Sequence, residues 1–274
     1  SQFESYQLFS SWEQKSDYRS SESLNPLNSK IFFEKDLELP GLSPNECSRN
    51  FCFQQRIGFS EVPGIFWTAL IAIEDMRYLT HSGVDFQSIA RAAYKDLLAL
   101  SFVEGGSTLT QQLVKNLYFS SEKTLTRKLK ELIASLYIEW NYSKENILEA
   151  YFNVNFWGVL QGVYLKGLRA ASLFYFEKIP SKIDAYEASI LISLLKGPSY
   201  YHPLKQTVRL RQRANLVFDK IVETSYGEET ISKWSNKKWK TWVDRLEFLE
   251  KRRPFNSFGK LKFKAQKKST LFND

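Results

Sequence analysis

Glu74 and Asp75 stand side by side at the end of an apolar run, residues 65–73. A carboxylate at the rim of a buried segment sits where desolvation raises its pKa and makes it a usable general base. His81, one of two histidines, follows four residues after Arg77, and Gly83 and Asp85 come next. The stretch 72–85, AIEDMRYLTHSGVD, is therefore the first in the chain equipped for acid–base chemistry. In isolation, an adjacent Glu–Asp pair is more often a helix end with solvated acids. The residues that follow reverse that reading.

Residues 103–116, VEGGSTLTQQLVKN, place two adjacent glycines ahead of Ser107, Thr108 and Thr110. A flexible loop rich in hydroxyls suits phosphate or sugar, although Gly-Gly-Ser alone is common in ordinary turns. Thr110 is the expected N-cap of the helix beginning QQLVKN. Lys115, Lys123, Arg127, Lys128 and Lys130 come next, diluted only by Glu122. Glu131 is four residues from Arg127 and three from Lys128, so the three side chains point roughly one way from a helix. The ordinary meaning of such a pattern is a solvated face with surface ion pairs.

Several helices must position these groups. Spacing predicts helices over 86–102, 126–140 and 144–152, the last capped by Ser143, and a small-residue helix over 167–176. Asn153, Asn155, Gly158 and Gly162 read as an intervening loop. Ser181 with Asp184 forms a variant capping box opening a helix over 182–195, and Arg209, Arg211 and Arg213 begin another that ends near Glu223. Three regions result: an N-terminal arm or linker over 1–61, with one strand near 31–39; a helical domain over 62–226; and a basic, aromatic tail over 227–274.

The 274 residues, 43% hydrophobic and 15% aromatic, are ample for a folded core, and no internal repeat is visible. The formal charge of +8 suggests an anionic partner: nucleic acid, a phospholipid surface or a phosphorylated substrate. Cys47 and Cys52 are compatible with a small disulfide loop or with two thiols. The apolar stretches 62–73 and 188–195 are too short to span a bilayer. The chain opens with Ser1 rather than Met, and a preceding segment such as a membrane anchor is expected. Trp234, Trp239 and Trp242, interleaved with cations, fit a membrane-surface segment slightly better than a nucleic-acid contact or a helix resting on the domain.

Taken together, these segments resemble the peptidoglycan glycosyltransferases of glycosyltransferase family 51. AIEDMRYLTHSGVD is similar to the family's Glu-Asp-x-x-Phe-x-x-His-x-Gly signature, with Tyr78 in the aromatic slot. GGSTLTQQLVKN resembles the second motif, RKLKE at 127–131 the third, KENILEAYFN at 144–153 the fourth, and EASILISLLKGPSYYHP at 187–203 the fifth. The five motifs run in family order over about 62–218. The loop before Gly167 and LLKGPSYYHP look most like class A penicillin-binding proteins of the "1b" type, yet the residues after Phe218 are too few for a transpeptidase domain.

The resemblance implies an all-α, mainly helical fold with a lysozyme-like globular lobe and a smaller membrane-associated jaw, with the helix over 86–102 in or near the jaw. It implies polymerisation of lipid II with inversion and release of undecaprenyl pyrophosphate, at the periplasmic face of a bacterial inner membrane. Glu74 and Glu131 are the implied catalytic acids: Glu74 as the base, Glu131 orienting cations or a divalent ion. Lys115, Lys123, Arg127, Lys128, Ser107, Thr108, Gln111, Gln112 and Asn153 are the implied substrate-binding residues, with Asp75, His81 and Gly83 as structural support. Lys123 stands where the family often has Arg. Glu177 departs further: FYFEK replaces Tyr-Phe-Gly-Lys, removing a glycine suited to positive φ and putting that turn in doubt. No cofactor is required, and a divalent cation (Mg or Mn) is compatible. Implied partners are lipid II, the growing glycan strand, the membrane surface and other cell-wall synthesis proteins; nucleic acid ranks last. A glycan-cleaving, lysozyme-like enzyme is the first alternative, since two acids in one cleft would serve it. A catalytically silent lipid II-binding scaffold is the second.

Overall fold

The computed structural model describes residues 52–54, 56–99, 106–119, 124–160, 162–224 and 232–251. The expected strand near 31–39, Cys47 and Lys123 lie outside them. Helix α1, Gly64–Glu74, is the apolar run, with Phe66, Trp67, Ala69 and Leu70 buried. Helix α2 follows over Phe86–Ala99, α3 over Leu109–Tyr118, α4 over Leu125–Asn141 and α5 over Lys144–Val154. Helices α6, Leu168–Phe176, α7, Ala185–Leu195, α8, Thr207–Thr224, and α9, Asn236–Lys251, complete a mainly helical fold.

The most fully buried of these is α7, where every residue from Ala185 to Leu194 is buried. A helix apolar on all sides belongs at the centre of a protein. It packs on α8, α1 and the sheet. Its hydroxyls are spent internally: Ser189 donates to the Tyr186 carbonyl and Ser193 to that of Ser189.

Two helix starts differ from expectation. Helix α3 is capped by Thr108, not Thr110: Thr108 Oγ1 accepts the Gln111 amide while Gln111 Oε1 accepts the Thr108 amide. This reciprocal box satisfies two donors at once, and Thr110 instead donates to Glu139. In α7 the cap is Asp184, paired reciprocally with Glu187 rather than with Ser181. Residues 180–182 form a separate 3₁₀ turn.

The segment read as a loop after Asn155 is a hairpin. Strands β2, Phe156–Leu160, and β3, Val163–Lys166, pair antiparallel, and β1, Cys52–Gln54, joins β3 in parallel with Cys52 opposite Tyr164. The all-helical expectation therefore gains a three-stranded sheet of order β1-β3-β2. Gly158, at φ 122, sits at the register irregularity, where a Cβ would fall 2.7 Å from the Tyr175 hydroxyl.

The turn after α6 survives its missing glycine. Glu177 takes the left-handed conformation itself, φ 58 and ψ 28, and its carboxylate meets Arg245 at 2.6 Å. The tail is corrected in another way. Trp234, Trp239 and Trp242 belong to the main core, with Trp242 stacked on Phe176 at 5.6 Å and Trp234 on Tyr186 at 5.5 Å. Their rings face protein, not a membrane surface.

Candidate active site

Glu74 is the last residue of α1, and its side chain is only 8% exposed. Two helices grip its carboxylate. Arg213 of α8 donates from Nη2 to Oε1 at 3.0 Å, and Gln112 of α3 donates weakly to Oε2 at 3.4 Å. Gln112 is steadied in turn by Tyr151, whose hydroxyl donates to its Oε1 at 3.1 Å. Burial first, then the Glu74 charge, raises the Tyr151 pKa, so the phenol stays a neutral donor. The apolar rim expected around Glu74 is thus replaced on one side by a guanidinium.

Asp75, His81 and Gly83 form the frame beneath. Both Asp75 oxygens lie 3.0 Å from His81 Nε2, and Asp75 Oδ2 also accepts the Leu109 amide at 2.9 Å. The Gly83 amide donates to His81 Nδ1, which assigns the ring proton to Nε2. Gly83 has φ 89, and a Cβ there would lie 2.5 Å from the Ser135 carbonyl oxygen, so no other residue fits. Its carbonyl accepts the Thr108 hydroxyl at 2.7 Å. Under this frame Lys144 is buried against Glu139 at 2.7 Å and the His81 carbonyl at 2.8 Å. Burial lowers the Lys144 pKa, with Glu139 opposing.

Glu74 opens onto a cleft of about 1020 Å³ whose lining includes Ser107, Thr108, Gln112, Lys115 and Arg127. Lys115 is pressed below the usual lysine pKa by burial, helped by Arg127 and Lys128 and opposed by Glu131. Arg127 Nε is buried without a hydrogen-bond partner. An unpaired guanidinium N–H beside an under-solvated ammonium is a site prepared for an anion.

The other expected residues support this wall rather than line it. Glu131, its side chain 3% exposed, pairs with Arg127 and lies 3.4 Å from Lys128. Lys128 also donates to Ser107 Oγ at 2.7 Å. Gln111 is turned into its capping box and buried, away from the cleft. Asn153 does not line the cleft either: its amide clamps the backbone of Ile57 through both N–H and C=O. The Glu131 carboxylate, expected to orient cations or a divalent ion, is engaged by Arg127 and Lys128. Among the described residues no three His, Cys, Asp or Glu side chains converge.

Arg213, Tyr151, and the cleft-lining pair Asn116–Asn155, joined at 2.6 Å, went unassigned in the sequence reading. The Arg209–Arg211–Arg213 run was the available signal for the first.

A mainly helical fold with one deeply set acid facing an anion-ready wall defines the class. Residues 52–222 match the transglycosylase family, and the chain belongs to it. The chain is 38% identical to penicillin-binding protein 1F of Bacillus subtilis over 173 residues, covering 63% of this chain and 24% of that protein. It is 36% identical to penicillin-binding protein 1B of Vibrio cholerae over 202 residues, 74% of this chain and 26% of the relative. Penicillin-binding protein 1A of Aquifex aeolicus is 35% identical over 220 residues, 77% and 30% respectively. The likeness is therefore shared among 1A, 1B and 1F types. The chain spans less than a third of the length of each of these relatives.

Proposed function

We propose that this chain is a peptidoglycan glycosyltransferase that polymerises lipid II. One observation carries the reading: Glu74, Lys115 and Arg127 line a single cleft. Glu74 takes the proton from the acceptor sugar hydroxyl as that oxygen bonds to the anomeric carbon of the donor chain. The bond to undecaprenyl pyrophosphate breaks on the opposite face, so the centre inverts. The leaving diphosphate needs no proton, only neutralisation of its charge, which Lys115 and Arg127 supply in a partly desolvated site. Glu131 and Lys128 hold Arg127 and Ser107 in place.

The cation wall weighs against a glycan-cleaving enzyme, because a neutral sugar leaving group has no use for that charge. Work at a membrane surface is supported by exposed Leu125, Leu129, Leu136 and Trp140 on α4 and by Phe86 and Tyr94 on α2. Among the described residues no helix is long and apolar enough to cross a membrane.

Labelled lipid II, with and without a divalent ion, and preformed glycan are the test substrates, read by gel. Lengthening of lipid II supports the proposal, and fragments released from glycan support the hydrolase. Glu74→Gln should lower polymerisation by roughly 100- to 10,000-fold. A variant that polymerises like the parent ends the assignment.

A further inference from the structure

The grip on Glu74 is asymmetric. Oε1 accepts a 3.0 Å charge-assisted bond from Arg213, whereas Oε2 has only the 3.4 Å contact with Gln112. Arg213 reaches Glu74 across 139 residues of sequence, from α8, which packs along α1. Its guanidinium lies 5.5 Å from the Tyr201 ring centroid, and its Nε is buried with no hydrogen-bond partner. This partly buried guanidinium leaves its Nε unsatisfied and keeps its place through Glu74 and the Tyr201 ring.

We infer that Arg213 is a positioning residue for the transfer reaction: it fixes Glu74 through Oε1, so that Oε2 is the oxygen that faces the acceptor hydroxyl. The inference rests on Glu74 being the base. A carboxylate swings about its last torsion at little cost, and a terminal acid–base oxygen misplaced by about 1 Å loses on the order of 100-fold in rate. Arg213 pins that torsion from one side, while the Tyr151–Gln112 pair supports the other oxygen loosely enough to yield to substrate. The charged and titratable groups near Glu74 include Arg213 from α8, Tyr151 from α5, the adjoining Asp75 and, lining the same cleft, Asp85, Arg91, Lys115, Arg127 and Lys196.

The test measures kcat and KM of lipid II polymerisation for the parent, Arg213→Met, Arg213→Lys and Glu74→Gln. Arg213→Met is expected to lower kcat on the order of 10- to 100-fold at nearly unchanged KM. Arg213→Lys recovers part of the lost kcat but not all of it, since an ammonium keeps the charge and lacks the fork that fixes the torsion. Should Arg213→Met not fold, Arg213→Lys decides alone: reduced kcat at parental KM supports the role, and parental kcat overturns it. A raised KM with parental kcat would make Arg213 a substrate-binding group and overturn the proposal. An inactive Glu74→Gln beside a fully active Arg213→Met removes the positioning role and leaves the base intact. An active Glu74→Gln removes both.

Discussion

Lys115 is the cation in the cleft whose charge is least secure. Its pKa lies below the ordinary 10.5 because burial and its cationic neighbours disfavour the ammonium. The binding form is fully present below the lowered value and is lost as pH rises through it, earlier than for a free lysine. KM for lipid II should therefore climb on the alkaline side, and Lys115→Arg, charged throughout, should flatten that limb. Coincident KM profiles for parent and variant between about pH 7 and about pH 10 would refute this. At this scale the sequence was most informative where a motif held the neighbours together. Glu74, Lys115 and Arg127 were recognisable because each sits inside a contiguous signature. Arg213 was not, because its partner lies 139 residues away and no local pattern encodes that meeting. Gln111 was misplaced for a different reason: a polar side chain beside a cleft motif reads as a ligand contact until its capping box is seen.

Helix existence was legible from apolar spacing, and Ser143 was recognised as a cap because one hydroxyl fits one position. Thr108 was mistaken for Thr110 because both are threonines at the head of the helical run, and only Gln111 at the third position chooses between them. The hairpin was hidden by Gly158 and Gly162, which signal a loop locally, while β1 pairs from more than a hundred residues away. The turn at Glu177 tests the balance of local strain against charge. A non-glycine residue in the left-handed region costs about 1 kcal/mol or more, whereas the largely exposed pair with Arg245 contributes at most about 1 kcal/mol. Glu177→Gly should thus unfold at the same temperature as the parent or higher. A loss above about 1 kcal/mol in denaturant titration would mean that the Arg245 contact dominates.

Across the whole molecule, the core runs without a break from α1 through α7 and α8 to α9. Alternating Trp and Lys in the tail could not say whether the aromatic face meets lipid or protein; only the apolar surface left open by Phe176 and Tyr186 decides it. Trp242 is 5% exposed, stacks on Phe176, and donates from Nε1 to the Tyr175 carbonyl at 2.9 Å. Trp242→Ala should cost about 3–5 kcal/mol in chemical denaturation. A change below about 1 kcal/mol would show that α9 is peripheral to stability.

One further property follows from Asp75. This residue, bonded covalently to Glu74, also holds the first amide of α3, the helix that carries Lys115. Under the proposed reaction, the group that takes the proton and the cation that meets the diphosphate are thereby braced by one carboxylate, so its loss in Asp75→Ala should disturb both sides of the transfer together.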